Sequence, residues 1–164
     1  MAFFRIKKIK GKEYAYIVEN EWKKKGSRQK VIGYAGRIYK FNVKNGINFL
    51  EFRKIENAEK YVAENGFRKI ITDLTEWELF RHEICKNNFA IDLNSMKIMQ
   101  NGRNVVLMIN EGFMCSLTLK NIFEFRPEGD ESNDGYRLAS AFVESGIKIP
   151  QDEINSLFGK IIKH

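Results

Sequence analysis

Lysine and arginine side chains crowd one end of this sequence, and they are its clearest chemical feature. Residues 1–40 carry twelve basic and three acidic residues, whereas the other 124 residues carry 16 basic and 18 acidic residues. Cations at that density repel one another, and a polyanion such as a nucleic-acid backbone would relieve the repulsion. A solvated lysine-rich surface and an acidic protein partner are the two alternatives that the charge leaves open.

Aromatic residues are interleaved with these cations, and eight of the 21 lie within residues 1–41. Exposed rings stack on unpaired bases, at about 1–3 kcal/mol per base, while nearby cations hold the phosphates. Most of the rings could instead form the core of a small sheet, but Trp22, beside three lysines, fits a core poorly. The residues predicted to contact nucleic acid are the cations Lys23, Lys24, Lys25, Arg28, Lys30 and Arg37 and the rings Trp22 and Tyr34.

Acidic residues raise a third hypothesis, a metal centre for phosphodiester cleavage. Its candidate ligands are Asp92 on a predicted strand and Glu76, Glu78, His82 and Glu83 on the predicted helix before it. No second histidine lies four residues from His82, so the helical two-histidine metal motif is absent. The sequence also lacks a glycine-rich phosphate loop and a dinucleotide motif. It therefore predicts no catalytic residue, no metal and no cofactor, and it favours a binding protein over a nuclease.

Strands are predicted to position the basic residues. Residues 3–8, 13–19 and 28–34 are rich in β-forming residues and are separated by turn-forming ones, which predicts an antiparallel meander over residues 1–41. A loop tip is expected at residues 23–27, and the Gly33 and Gly36 pair indicates a bulge or bend. A polar connection then predicts a boundary with a second part, residues 42–164, although the two parts could form one compact domain.

The middle of the chain combines a hairpin with short helices. Asn101-Gly102 lies between two apolar runs and predicts a hairpin, because both residues tolerate the positive φ angles of its turn. Asn57 predicts the cap of a helix over 58–65 that ends at Gly66.

A strand is then predicted over residues 67–71. Thr75, followed three residues later by Glu78, matches the capping box of a helix that runs to about residue 85. Ser116 is expected to cap a further helix over 117–125.

Two helices, over 134–145 and 150–162, close the predicted fold. The second has apolar residues spaced as on one face of an amphipathic helix. This helix pair supports an alternative function, a scaffold or adaptor that binds a protein partner or a second copy of the chain. Strands first and helices last, without strict alternation, predict the α+β class.

Four short stretches of the predicted meander carry a resemblance to known proteins. They are Phe4-Arg5-Ile6-Lys7-Lys8, Glu13-Tyr14-Ala15-Tyr16-Ile17-Val18-Glu19-Asn20, Arg28-Gln29-Lys30-Val31 and Tyr34-Ala35-Gly36-Arg37. Over about 35 residues they resemble the N-terminal module of some insertion-sequence transposases and the start of certain uncharacterised archaeal proteins. The resemblance implies a basic module that faces nucleic acid, either RNA or DNA. It does not extend to the transposase catalytic domain, and residues 42–164 carry no such resemblance.

Hydropathy and cysteine content indicate the cellular setting. No uninterrupted apolar stretch approaches the ~18 residues of a membrane-spanning helix, and the N-terminus does not match a signal peptide. Cys85 and Cys115 are expected to be reduced and buried, as small hydrophobic side chains. The sequence therefore predicts a cytoplasmic protein without membrane contact.

Overall fold

A computed structural model describes residues 2–150 and residue 159 of the chain. Within that part, seven strands and five α-helices form an α+β fold, as predicted. The strands are β1 (Ala2–Ile9), β2 (Lys12–Lys23), β3 (Gly26–Lys40), β4 (Ala90–Asp92), β5 (Lys97–Gln100), β6 (Arg103–Ile109) and β7 (Gly112–Met114). The helices are α1 (Phe49–Arg53), α2 (Ala58–Glu64), α3 (Phe67–Arg81), α4 (Ser116–Phe123) and α5 (Glu131–Ser145), with a 3-10 turn at Ile84–Lys86. The helix predicted over 150–162 falls outside the described residues, apart from residues 150 and 159.

All seven strands belong to one mixed sheet. Its order is β1-β2-β3-β6-β5-β4, and β7 pairs with the end of β6. β1, β2 and β3 pair antiparallel, so the predicted meander is confirmed. β3 then pairs in parallel with β6, from Arg37 opposite Val105 to Lys40 opposite Met108. The basic meander therefore continues directly into the sheet of the rest of the protein.

Strand β6 lies at the centre of the core and is covered on both faces. Val105, Leu107 and Ile109 belong to the larger apolar cluster, which also contains the buried side of α3. Val106 belongs to a smaller cluster with Ala15 and other residues of the first strands. Because side chains alternate along a strand, these two clusters lie on opposite faces of the sheet.

Two bulges interrupt the pairing of β2 with β3. Ala15 pairs with Gly36 but Tyr16 pairs with Tyr34, so one residue of β3 is extra at that point. The register shifts again between Ile17 and Val18. These shifts confirm the irregularity predicted from the glycines of β3, and such bulges increase the local twist of a strand.

The predicted break within α3 is wrong. Residues 67–71 form the first turns of α3 instead of a strand, and Gly66 begins this helix instead of ending α2. Thr75 lies inside the helix, where its hydroxyl donates to the carbonyl oxygen of Ile71 at 2.7 Å. Ile70 and Leu74 are fully buried, and this burial outweighs the strand preference of β-branched residues.

Helix termini agree with the sequence at some places and differ at others. Asn57 caps α2 as predicted, accepting a hydrogen bond from the backbone of Lys60. The cap of α4 is Cys115, one residue before the predicted Ser116. Cys115 is buried, but Cys85 is exposed, contrary to the prediction for both thiols.

Asp134 anchors the start of α5. It is buried, and its carboxylate accepts hydrogen bonds from the backbone N–H groups of Glu128 and Gly129, each at 2.9 Å. The Arg137 guanidinium donates to the same carboxylate at 2.8 Å. These donors, with the Glu128 N–H first among them, hold the pKa of Asp134 below its ordinary value of 3.8, although burial opposes them.

The lowered pKa of Asp134 predicts a stability difference that depends on pH. A group with a lowered pKa stabilises the fold above its ordinary pKa, and the effect is lost as the pH falls through its folded-state pKa. We therefore expect Asp134→Asn to lower the Tm at neutral pH, and the gap to close as the pH falls below 3.8. Asp130→Asn is the control, because Asn caps a helix about as well as Asp. A gap independent of pH, measured by circular dichroism, would contradict this prediction.

Among the helices of the described residues, none combines the length and apolarity needed to cross a lipid bilayer.

Candidate nucleic-acid interface

Most of the predicted contact residues lie on a two-stranded ribbon at the far end of β2 and β3. Every residue from 20 to 32 is exposed, and we call this stretch the ribbon. Its strands stay paired up to Lys23 and Gly26, which leaves only Lys24 and Lys25 in the turn. The predicted loop tip is therefore a tight turn, and Gly26 adopts the φ of 113° that follows it.

The two faces of the ribbon differ in chemistry. Asn20 and Trp22 share one face with their cross-strand partners Gln29 and Ser27, because side chains alternate along each strand. That face of the ribbon carries amides, a hydroxyl and an indole, but no charge. Trp22 is 83% exposed, so its ring is not part of a core.

The opposite face of the ribbon carries charges of both signs. Lys23, Arg28 and Lys30 alternate onto this face, where Glu21 pairs in register with Arg28 and Glu19 with Lys30. The Lys23 ammonium lies 3.3 Å from the Glu21 carboxylate. The glutamates therefore offset part of the positive charge on this face.

Most cations of the three N-terminal strands have no acidic partner. Within the described residues, the ion pairs of β1, β2 and β3 are Lys23 with Glu21 and Lys40 with Glu13. The two lysines of the ribbon turn are therefore free to contact an anion. Unpaired, solvent-exposed cations can neutralise phosphates without first losing a salt bridge.

A cluster of tyrosines lies at the base of the ribbon. The ring of Tyr34 is 5.3 Å from that of Tyr16 and 6.5 Å from that of Tyr14, between ring centroids. The Lys7 ammonium lies 4.8 Å from the centre of the Tyr16 ring. Tyr34 is the most accessible of the three, with 51% of its surface exposed.

The surroundings of Tyr34 keep its phenol neutral. Partial burial raises its pKa, and the neighbouring Tyr16 and Tyr14 raise it further. Arg103, which begins β6, acts in the opposite direction and lowers the pKa. The second cation at this base is Arg37, whose guanidinium lies 4.7 Å from the centre of the Tyr39 ring. A neutral ring with cations beside it suits a base and its phosphate together.

The tyrosines and the uncharged side of the ribbon form one continuous surface. Tyr14, Tyr16 and Trp22 occupy even positions of β2, which has no extra residue between them, so they point the same way. Tyr34 joins them through its contact with Tyr16. We call this surface the aromatic face, defined by Tyr14, Tyr16, Trp22 and Tyr34. Eight residues separate Tyr14 from Trp22, or roughly 26 Å at ~3.3 Å per residue.

The structure thus divides the predicted site residues between two faces. Trp22, Tyr34 and Arg37 belong to the aromatic face, and Lys24 and Lys25 lie in the turn at its end. Lys23, Arg28 and Lys30 lie on the other face of the ribbon. Sequence reasoning missed Lys7, Tyr16 and Arg103 as contributors, although the alternation of Tyr14 and Tyr16 was visible.

Asp92 does not belong to a metal site. It is exposed, and its carboxylate accepts hydrogen bonds from the Ser95 hydroxyl at 2.7 Å and the Asn94 backbone at 3.0 Å. The Ser95 hydrogen bonds, above all, hold the pKa of Asp92 below its ordinary value. The residue closes its own turn, so its lone pairs are directed within the loop.

The other proposed metal ligands are engaged elsewhere. Glu76 pairs with Arg53, and Glu83 pairs with Lys86 at 2.9 Å. Glu78 is fully buried and accepts hydrogen bonds from Asn110 at 3.0 Å and from the backbone of Lys148 at 3.1 Å. The His82 ring nitrogen Nδ1 lies 2.8 Å from the carbonyl oxygen of Glu78. No three potential ligands converge in the described part of the chain, so the candidate metal centre is not formed there.

Fold and surface together define an α+β protein whose N-terminal strands extend into a basic ribbon with an aromatic face. No family model matches this chain, and neither a curated protein nor a solved structure matches it.

Proposed function

We propose that this protein binds nucleic acid, RNA or DNA, through its three N-terminal strands and catalyses no reaction on it. The observation that carries the proposal is the aromatic face, where accessible rings lie beside cations that have no acidic partner. Cations hold phosphates and rings stack on bases, so this combination matches both chemical parts of a nucleotide. The resemblance of these strands to transposase N-terminal modules supports the same function.

The dimensions of the surface favour a polymer over a small anion. The tyrosine cluster and the ribbon turn are more than 20 Å apart, at roughly 3.3 Å per residue of strand. One small phosphate cannot contact both ends, whereas a chain of nucleotides can. We place this function in the cytoplasm, consistent with the unpaired thiols of Cys85 and Cys115.

Binding is expected to weaken steeply with salt, because each phosphate contact releases counterions. The six predicted cations, if all engaged, give a log–log slope of about −4 for a single strand and about −5 for a duplex. Fluorescence anisotropy of a labelled 20-mer, titrated at several salt concentrations, measures this slope. Poly-glutamate of equal charge is the competitor that represents an acidic protein partner. A slope near zero, or tighter binding of poly-glutamate, would contradict the proposal.

A protein-interaction scaffold is the second candidate function. Tyr136 and Val143 lie on α5, the first helix of the predicted C-terminal pair, and each is 71% exposed. Exposed apolar side chains of this size can contact a partner helix. Light scattering of the full chain at increasing concentration would detect self-association, and a constant monomer mass would argue against a second copy as the partner.

A further inference from the structure

We infer that the ligand of the aromatic face is single-stranded nucleic acid, with one base stacked on Tyr34 and another on Trp22. The inference rests on the proposed function and specifies its substrate class. It follows from the accessibility of the two rings, from the groups that lie between them and from the positions of the nearby cations.

Tyr34 is accessible and held in place. Its ring contacts Tyr16 at an interplanar angle of 54° and Tyr14 at 33°, so its orientation is fixed from two sides. A base that stacks on it loses its own freedom, but little side-chain freedom of the protein is lost with it. Bases in a duplex already stack on both neighbours, so a ring of this kind selects bases that are unpaired.

Trp22 provides a second platform at the other end of the same face. It is 83% exposed, and its cross-strand partner is the small Ser27, which leaves the indole uncovered from that side. The distance to Tyr16 is six residues of strand, or roughly 20 Å. A single strand of several nucleotides can therefore contact both rings.

The groups between the two platforms suit the edges of bases. Asn20 and Gln29 pair in register, and both are exposed on the aromatic face. An amide side chain offers both donors and an acceptor, as the Watson–Crick edge of a base does. Those edges are free only in a single strand, because base pairing occupies them in a duplex.

The cations around this face lie where the sugar-phosphate chain would run. Arg5 and Lys7 belong to β1 and pair in register with Tyr16 and Tyr14. Arg37 pairs with Tyr14 from the other side, on β3. Cations therefore flank the tyrosines on both neighbouring strands, whereas the middle of the face is uncharged.

A duplex is the alternative ligand, since a two-stranded ribbon can enter the major groove. Readout of that kind uses charged and polar side chains that reach base edges. The exposed indole of Trp22 and the ring of Tyr34 would contribute little to it. The aromatic face is for that reason better suited to an open strand.

The test compares a labelled 20-mer of mixed sequence with its own duplex, as DNA and as RNA, by fluorescence anisotropy at fixed salt. We expect the single strand to bind at least 10-fold more tightly than the duplex. Trp22→Ala and Tyr34→Ala should each weaken single-strand binding by about 5- to 150-fold, and Tyr34→Phe should retain most of the affinity. Tyr136→Ala is the matched control, because Tyr136 is also an accessible ring but lies on α5.

A second readout reports stacking directly. Trp22 is exposed and Trp77 is only 6% exposed, so quenching of the intrinsic fluorescence on binding reports on Trp22. The quenching should disappear in Trp22→Phe. Equal or tighter binding of the duplex, with no effect of the two alanine substitutions, would overturn the inference and leave the proposed function intact. Failure to bind either form at low salt would overturn both.

Discussion

Reversing the charge of the ribbon tip should reduce nucleic-acid binding by at least about 100-fold at 0.1 M salt. The variant replaces Lys23, Lys24 and Lys25 together by glutamate. Each lost phosphate contact removes about 0.7 from the log–log salt slope, so three contacts account for about two orders of magnitude between 1 M and 0.1 M salt. Repulsion by the new carboxylates adds to this loss. Anisotropy titrations should show the slope for a single strand falling from about −4 to about −2.

The fold should survive this change, because all three side chains are exposed. Their one ion pair, between Lys23 and Glu21, is at the surface, and such pairs contribute about 0–1 kcal/mol. The matched control replaces Lys44, Lys97 and Lys120, three exposed lysines outside the N-terminal strands, by glutamate. It alters the net charge by the same amount. If both triple variants lost affinity equally, the net charge and not the ribbon would govern binding.

The sequence was sufficient for the elements whose signals are local. Asn101-Gly102 formed its hairpin because the turn requires two positive φ angles, and the structure has 51° and 74° there. The meander followed from β-forming residues between turn residues. The alternation of Tyr14 and Tyr16 along β2 was likewise enough to assign both rings to one face of the strand.

Other parts of the interface depend on pairing that the sequence does not reveal. Tyr34 meets Tyr16 only because of the extra residues in β3, and the glycines there indicated a bulge without giving its register. Arg103 comes close because β6 pairs in parallel with β3, across more than 60 residues of chain. The opposite orientation of Arg28 and Trp22 also follows from this register, so one basic segment became two different faces.

Tertiary burial explains the errors in the middle of the chain. The residues around Ile70 and Ile71 have the composition of a strand, but both are fully buried in a helix that packs on the sheet. The acidic metal hypothesis failed for a related reason. Proximity in sequence placed Glu76, Glu78 and His82 on one helix, but Glu76 is exposed and pairs with Arg53, whereas Glu78 and His82 are buried.

Gly36 controls how the aromatic face is attached to the rest of the sheet, and Gly36→Ala should be strongly destabilising. Gly36 has a φ of 135°, which side chains other than glycine rarely adopt. An added Cβ would also meet the carbonyl group of Asn104 and lie 2.8 Å from the Cα of Val105. Both contacts are with the backbone of β6, so no side chain can rotate away. Strain and overpacking together predict a loss of about 2–6 kcal/mol.

Gly33→Ala is the matched control for Gly36→Ala, three residues away in the same strand. Its φ lies outside the left-handed region, and its added Cβ would meet only the Ile17 side chain, at 3.3 Å from the terminal methyl Cδ1. That methyl can move, so we expect a change within about 1 kcal/mol. Urea denaturation of both variants measures the difference. Because Gly36→Ala would push β3 away from β6, it should also separate Arg103 from Tyr34 and weaken single-strand binding in the fraction that remains folded. Equal stability of the two variants would show that β3 and β6 can separate slightly without cost, and that the attachment of the aromatic face does not depend on this close approach.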